Sequence, residues 1–172
     1  MPPRVTVLLL AYHDAPFLGE AIESVLAQTY TDFALVVDDA STGASLAVVE
    51  RYRDRRLRLI VNPVNVGTGG SHNRGLAATT SEYVVQLDGN DIGFPDRIAR
   101  QVQFLDEHPE VAVVGSQATI VDVHGRTIGE MWRPTTDLGI RWCDMFQSPL
   151  VHSNTALRRA PPNQSILCGE LA

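Results

Sequence analysis

The chain has no lysine: all 14 of its basic residues are arginines. That excludes a Walker-type phosphate lysine and any Schiff base on a lysine side chain. It also disfavours a phosphoacceptor signalling domain, which pairs its acidic strand ends with a lysine. Cysteine is scarce as well. Cys143 and Cys168 stand far apart and outside any metal spacing, so the expectation is a reduced, cytoplasmic protein. No apolar run approaches the roughly 18 residues of a membrane span. Met1-Pro2-Pro3-Arg4 leads straight into strand-like residues and does not read as a signal peptide. A net charge of −6 gives no basic footprint for nucleic acid and no broad attraction to anionic lipid.

What is present suffices for one domain with a real core: 172 residues, 44% hydrophobic and 20% charged. Short apolar runs alternate with helical patterns. Strands are expected at 5–11, 33–37, 57–61, 83–87 and 111–114. Between them, Leu18, Ile22, Val25 and Leu26 mark a helix with Asp14 as its N-cap. Further helices are expected at 44–53, 67–80 and 95–107, the one at 67–80 with a glycine-rich start. After residue 114 the rhythm changes. His124-Gly125 signals a turn between strands at 118–123 and 127–132. A helix at 139–145 and a strand at 151–157 follow, and 160–172 shows no periodicity. The expected organisation is one domain over 1–159 with an irregular tail over 160–172.

Alternating strands and helices imply an α/β fold: three layers, a mostly parallel sheet flanked by helices, and a hairpin towards the C-terminus. Ligands of such sheets bind outside the carboxyl ends of the strands. Three polar clusters fall at those ends: Tyr12-His13-Asp14, Asp38-Asp39, and Asp88-Gly89-Asn90-Asp91. Asp38-Asp39 either starts a loop that caps the next helix or recognises a base or ribose. The second acidic turn is either an ordinary turn or a set of hard oxygen donors suited to Mg²⁺ or Mn²⁺. Asn65, Gly67, Gly69 and Gly70 form a glycine-rich helix entry that could bring backbone N–H groups to phosphate, but Gly67 and Gly70 read as turn and packing residues in preference to ligands. His152 is a candidate for the acceptor side. His13, His108 and His124 read as surface residues, and Trp132 and Trp142 as packing residues in preference to sugar platforms, a role either could take. A Rossmann dehydrogenase is disfavoured, because the first strand is followed by Tyr12-His13-Asp14-Ala15-Pro16 and not by a glycine fingerprint.

Taken in order, several segments resemble glycosyltransferase family 2, the inverting GT-A group that uses nucleotide-diphosphate sugars. They are Leu10-Ala11-Tyr12-His13-Asp14, the stretch from Ala21 to Tyr30, and Val37-Asp38-Asp39-Ala40-Ser41. Next come Asn65-Val66-Gly67 with Asn73-Arg74-Gly75, Leu87-Asp88-Gly89-Asn90-Asp91, Pro95-Asp96-Arg97 and His108-Pro109-Glu110. The likeness runs over about residues 4 to 159. It implies a GT-A fold with a Rossmann-like nucleotide-binding half. It also implies sugar transfer from a nucleotide-diphosphate donor, with inversion, to a saccharide, lipid or protein acceptor. The setting implied is bacterial cell-wall or polysaccharide biosynthesis, in the cytoplasm or at the inner face of the membrane.

The resemblance also implies residue roles. Ala11 and Tyr12 flank the base, Asp39 hydrogen-bonds it, and His72 faces the nucleotide. Asp88 and Gly89 lie near ribose and diphosphate. Asn90 stands where the Asp-x-Asp motif supplies its metal carboxylate, with Asp91 as the second metal candidate for a divalent cation, Mg²⁺ or Mn²⁺. An amide oxygen attracts a cation less than a carboxylate does, so Asn90 weakens that expectation. The family's general base lies downstream of the turn. Asp122, Glu130, Asp137, Asp144 and Glu170 are available carboxylates, but none sits in that motif, and no base is assigned. A motif-rich front and a pattern-free end suggest a shortened form of a longer transferase. The alternative is a relative that binds nucleotide-sugar without turnover.

Overall fold

The computed structural model describes residues 2–11, 15–39, 44–62, 64–159 and 168–169. Tyr12, His13, Asp14, Ser41 and most of the expected tail, Glu170 included, lie outside the described residues. In chain order the elements are β1 (Val5–Ala11), α1 (Ala15–Leu26), β2 (Phe33–Asp39), α2 (Ala44–Val49) and β3 (Leu57–Val61). Then come α3 (Gly67–Ala77), β4 (Tyr83–Asp88), α4 (Arg97–Glu107), β5 (Val113–Val114), β6 (Ala118–Val121), β7 (Thr127–Met131) and α5 (Asp137–Asp144). A 3-10 helix (His152–Asn154), β8 (Ala156–Arg158) and β9 (Cys168–Gly169) complete the set.

The main sheet runs β3-β2-β1-β4-β8-β5-β9. β3, β2, β1 and β4 are mutually parallel, β8 is antiparallel to both β4 and β5, and β9 is parallel to β5. The mostly parallel α/β sheet expected from the sequence is therefore present. Strand β1 reads VTVLLLA because it is buried on both faces, as parallel strands between helical layers must be. Its odd positions Val5, Val7 and Leu9 join Tyr83, Val85 and Leu87 of β4 in the larger core. Leu18, Ile22 and Val25 of α1 and Ile98, Val102 and Leu105 of α4 pack there too. Each such side chain contributes about 1.5–3 kcal/mol of burial. Leu8 and Val84 belong to a smaller cluster with Ile60, Leu76 and Leu157. Helix α3 comes so close to the sheet that a Cβ on Gly75 would stand 2.8 Å from Leu8 Cδ2. A side chain there would have to displace buried Leu8, so the close approach of helix to strand favours glycine.

Several elements depart from expectation. Residues 151–157 do not form one strand. Thr155 Oγ1 donates to His152 O at 2.9 Å and the Asn154 N–H donates to Val151 O at 2.9 Å. These short-range bonds compete with a ladder, so a 3-10 helix forms and pairing is left to 156–158. Only 113–114 of the expected fifth strand enter the ladder, although Val111 and Ala112 are buried. Helix α2 stops at Val49. The hairpin forms as β6 and β7 across Gly125, whose φ of 75° suits glycine. Trp132 and Trp142 are not packing residues: they are 69% and 64% exposed. Trp142 leans on Phe146 with centroids 5.6 Å apart, and Phe146 is itself exposed. The hairpin forms its own two-stranded sheet apart from the main one, so its side chains lack an opposing layer.

Candidate donor-binding site

Chain order and sheet order reverse beside β1. Its helical connection leads to β2 on one side, whereas β4, reached through α3, lies on the other. Such a switch point opens a crevice at the carboxyl ends of the strands. The register brings three strand ends level there. Ala11 pairs with Asp39, and Leu10 is flanked by Asp38 on β2 and Asp88 on β4. The Gly89 N–H donates to Leu10 O at 2.8 Å, which carries the β1–β4 contact into the acidic turn. Ala11, Asp39, Asp88 and Gly89 thus converge on one rim.

The turn is held from several directions. The Asp88 N–H donates to Ser153 Oγ at 3.0 Å, and the Asp91 N–H donates to Asp88 O at 3.1 Å. Asn90 is exposed, whereas Asp88 and Asp91 are half-buried. The segment that follows is clamped to the end of α1 by buried Gln28. Its Nε2 donates to Phe94 O at 2.6 Å, and its Oε1 accepts from the Ile98 N–H at 3.0 Å. The Gly93 N–H donates to Ser24 Oγ at 3.0 Å, and the Thr29 N–H donates to Pro95 O at 2.8 Å. One glutamine therefore satisfies both the loop carbonyl and a first-turn amide of α4 that would otherwise be orphaned.

Arg97 is a cation that interacts electrostatically with this turn. Its Nη2 donates to Gln86 O at 2.6 Å, and its Nε is buried without a protein partner. Burial pulls its pKa down to about 10, against the upward pull of Asp91 and Asp88. It stays charged at neutral pH and offsets the repulsion between those two carboxylates.

Two imidazoles complete the rim. His152 Nδ1 lies 3.9 Å from Asp88 Oδ1. Its ring meets His72 of α3 edge-on, with centroids 4.8 Å apart and planes at 64°. Both ring nitrogens of His72 are buried without a hydrogen-bond partner. Burial first, and His152 second, hold the His72 pKa below the usual histidine value, so its ring is neutral at pH 7.

Residues 6–163 match the family model described as Glycosyl transferase family 2. The chain belongs to glycosyltransferase family 2. It is 36% identical over 127 residues to the putative glycosyltransferase EpsE of Bacillus subtilis, covering 72% of this chain and 46% of that protein. It is 37% identical over 128 residues to the succinoglycan biosynthesis protein ExoO of Rhizobium meliloti, covering 73% and 36%. The chain thus spans about half, or less, of the length of these relatives. Among solved structures, S. aureus TarS 1-349 in complex with UDP-GlcNAc aligns with a TM-score of 0.71 at 25% identity, covering 90% of this chain and 45% of that one. The mannosyltransferase PcManGT from Pyrobaculum calidifontis, in complex with GDP-Man and Mn²⁺, aligns at 0.68 and 22% identity, covering 92% and 45%. The fold is that of GT-A glycosyltransferases.

Within this family 2 chain, the donor set of the acidic turn fits a divalent cation. Asp88, Asn90 and Asp91 offer hard oxygens at an accessible rim. Mg²⁺ or Mn²⁺ needs only one or two protein carboxylates when phosphates and water supply the rest. Among the described residues no three His, Cys, Asp or Glu side chains form a preassembled metal cage. Three of the described downstream carboxylates are engaged by local partners. Asp122 accepts from the His124 and Arg126 amides within the hairpin turn. Glu130 accepts from Trp132 Nε1, and Asp137 pairs with Arg141. Asp144 is exposed. Sequence reasoning gave no role to Gln28, Arg97 or Ser153. Gln28 and Arg97 lie within the family-like segments, and a glutamine or arginine beside apolar positions was the available signal. Ser153 carried none.

Proposed function

We propose that this chain carries the donor half of an inverting glycosyltransferase, which moves a sugar from a nucleotide diphosphate to an acceptor hydroxyl. The acidic turn at the switch point of a family 2 sheet carries this reading. Ala11 and Tyr12 flank the base, Asp39 bonds it, and Asp88 with Gly89 holds ribose and diphosphate. Asn90 and Asp91 would hold the cation, which when bound would offset the charge that develops on the departing diphosphate. The Gln28 clamp and the Asp88–Ser153 bond keep the turn in register with β1, so the donor meets fixed groups and not a mobile loop. The complex of TarS with UDP-GlcNAc supports a nucleotide-sugar donor. ExoO and the amylovoran biosynthesis glycosyltransferase AmsE of Erwinia amylovora support a saccharide acceptor in polysaccharide assembly. We place that work in the cytoplasm or at the inner face of the membrane; among the described residues no helix is long and apolar enough to cross one. The relatives are named as transferases, and no particular feature favours binding without turnover.

The test is titration of the chain with UDP- and GDP-sugars, with and without Mn²⁺, while nucleotide release is followed. Mn²⁺-dependent binding with release or transfer is the expected result. Binding without release would shift the assignment to a binding module, and absence of binding would overturn it.

A further inference from the structure

His72 and His152 come from separate elements, and the fold takes care to bring them together. The 3-10 helix bearing His152 is fixed on every side. Ser153 accepts from the Asp88 N–H, and the Gln101 Nε2 donates to Asn154 O at 2.8 Å. Thr155 Oγ1 also stands 2.9 Å from Oε1 of buried Gln86, sharing its one proton between that atom and His152 O, and the Gln86 N–H donates to Thr155 O at 2.9 Å. His152 alone of this helix is exposed, with about half its side chain accessible, and it leans towards Asp88 and His72. Buried polar atoms are nearly always satisfied, and leaving them bare costs free energy. Simple packing of the two rings would leave both His72 nitrogens bare. A ligand would recover that cost.

The chemistry of the pair selects the ligand. A metal held chiefly by imidazoles, such as zinc, takes at least three protein ligands, and the described residues form no such group. An oxyanion needs only donors. Each imidazole offers at least one N–H, and phosphate offers several acceptor oxygens. We propose that His72 and His152 form a two-imidazole clasp that donates to the phosphate oxygens of the diphosphate at Asp88. This rests on the donor reading above and adds His152 as a binding residue. It also gives Asn90 a physical setting: with one carboxylate fewer for a cation, direct N–H donors carry more of the hold on the diphosphate.

The test uses the full chain, calorimetry and five probes: UDP and GDP with Mn²⁺, uridine, guanosine, and inorganic pyrophosphate. His152→Ala should weaken UDP or GDP by about tenfold, the loss of one good hydrogen bond, and leave uridine and guanosine unchanged. His152→Gln, which keeps an N–H donor, should restore most of the affinity. Equal losses for diphosphate and nucleoside, or no loss, would overturn the clasp. If the native chain holds pyrophosphate as tightly as UDP and GDP, the donor reading fails by itself, and the same tenfold loss measured with pyrophosphate still supports the clasp. If the native chain binds none of the probes, both fall. A readout free of folding effects is the imidazole proton spectrum of the native chain. Pyrophosphate should move two of the five histidine resonances, assigned through His72→Asn and His152→Asn. Movement of neither would overturn the proposal.

Discussion

The two ends of the parallel sheet carry polar groups in opposite ways. At the amino end the charges around Tyr83 are paired with one another. Arg4 Nε donates to Glu82 Oε2 at 2.7 Å, and its Nη1 donates to Asp106 Oδ2 at 2.8 Å. Tyr83 is fully buried and donates to Asp106 at 2.6 Å while accepting from Arg158 at 3.1 Å. The two guanidinium groups also stand over its ring, 5.0 and 5.2 Å from the centroid. At the carboxyl end, carboxylates gather at a rim, Arg97 Nε and both His72 nitrogens lack protein partners, and Asn90 points outward. The first end closes its hydrogen bonds internally and serves stability. The second leaves capacity that a ligand can fill, and it is where functional sites accept a cost in stability.

Substitutions should separate the two ends. The largest effect is expected at the amino end: Tyr83→Ala should cost about 3–5 kcal/mol of folding stability, the range for deleting a buried aromatic. Chemical denaturation measures this, and a loss under 1 kcal/mol would dissolve the distinction. Next comes Asp39→Ala at the carboxyl end. Nucleotide affinity should fall by about 1.5–3 kcal/mol, the worth of a hydrogen bond to a charged group, with the melting temperature unchanged. Unchanged calorimetric affinity would remove Asp39 from the site. Asn90→Asp should strengthen Mn²⁺-dependent nucleotide binding by about 1 kcal/mol, the water-screened worth of one more charge pair near 4 Å. Equal or weaker Mn²⁺ affinity would show that position 90 does not face the cation.

The smallest effect is with acid. Hydrogen bonds from Arg4 are the main cause holding the Asp106 and Glu82 carboxyls below their ordinary values. Because they titrate lower in the folded state than unfolded, their contribution is complete above the unfolded carboxylate range. It is lost as pH falls through and below about 4. These groups are more than a third exposed, so the contribution is about 0–1 kcal/mol. Arg4→Met should flatten the acid limb of the stability–pH curve by that amount, and an unaltered limb would show the pairs to be ornamental.

Much of the fold was legible because it follows local patterns. The apolar runs of β1 and β4 read as strands buried on both faces. Ile98, Val102 and Leu105 read as one side of α4. The strand expected at 151–157 failed because Ser153, Asn154 and Thr155 direct their bonds to nearby backbone and to β4, which no apolar pattern records. The two tryptophans were misjudged because a bulky ring reads as core until one knows that Trp132 follows an uncovered hairpin and that Trp142 lies on an exposed side of α5.

The sequence by itself determined the alternating strands and helices, the parallel core, and an acidic turn at the end of the fourth strand. Hydrophobic period and turn chemistry act over a few residues and are written out in order. The tertiary structure alone decided that Gln28 would clamp the segment before Ile98, 70 residues on, and that Ser153 would hold Asp88 from 65 residues away. It also decided that His152 would meet His72 beside that turn. Such contacts depend on strand order and on the helix layers that carry them, and no periodicity encodes a pairing across that distance.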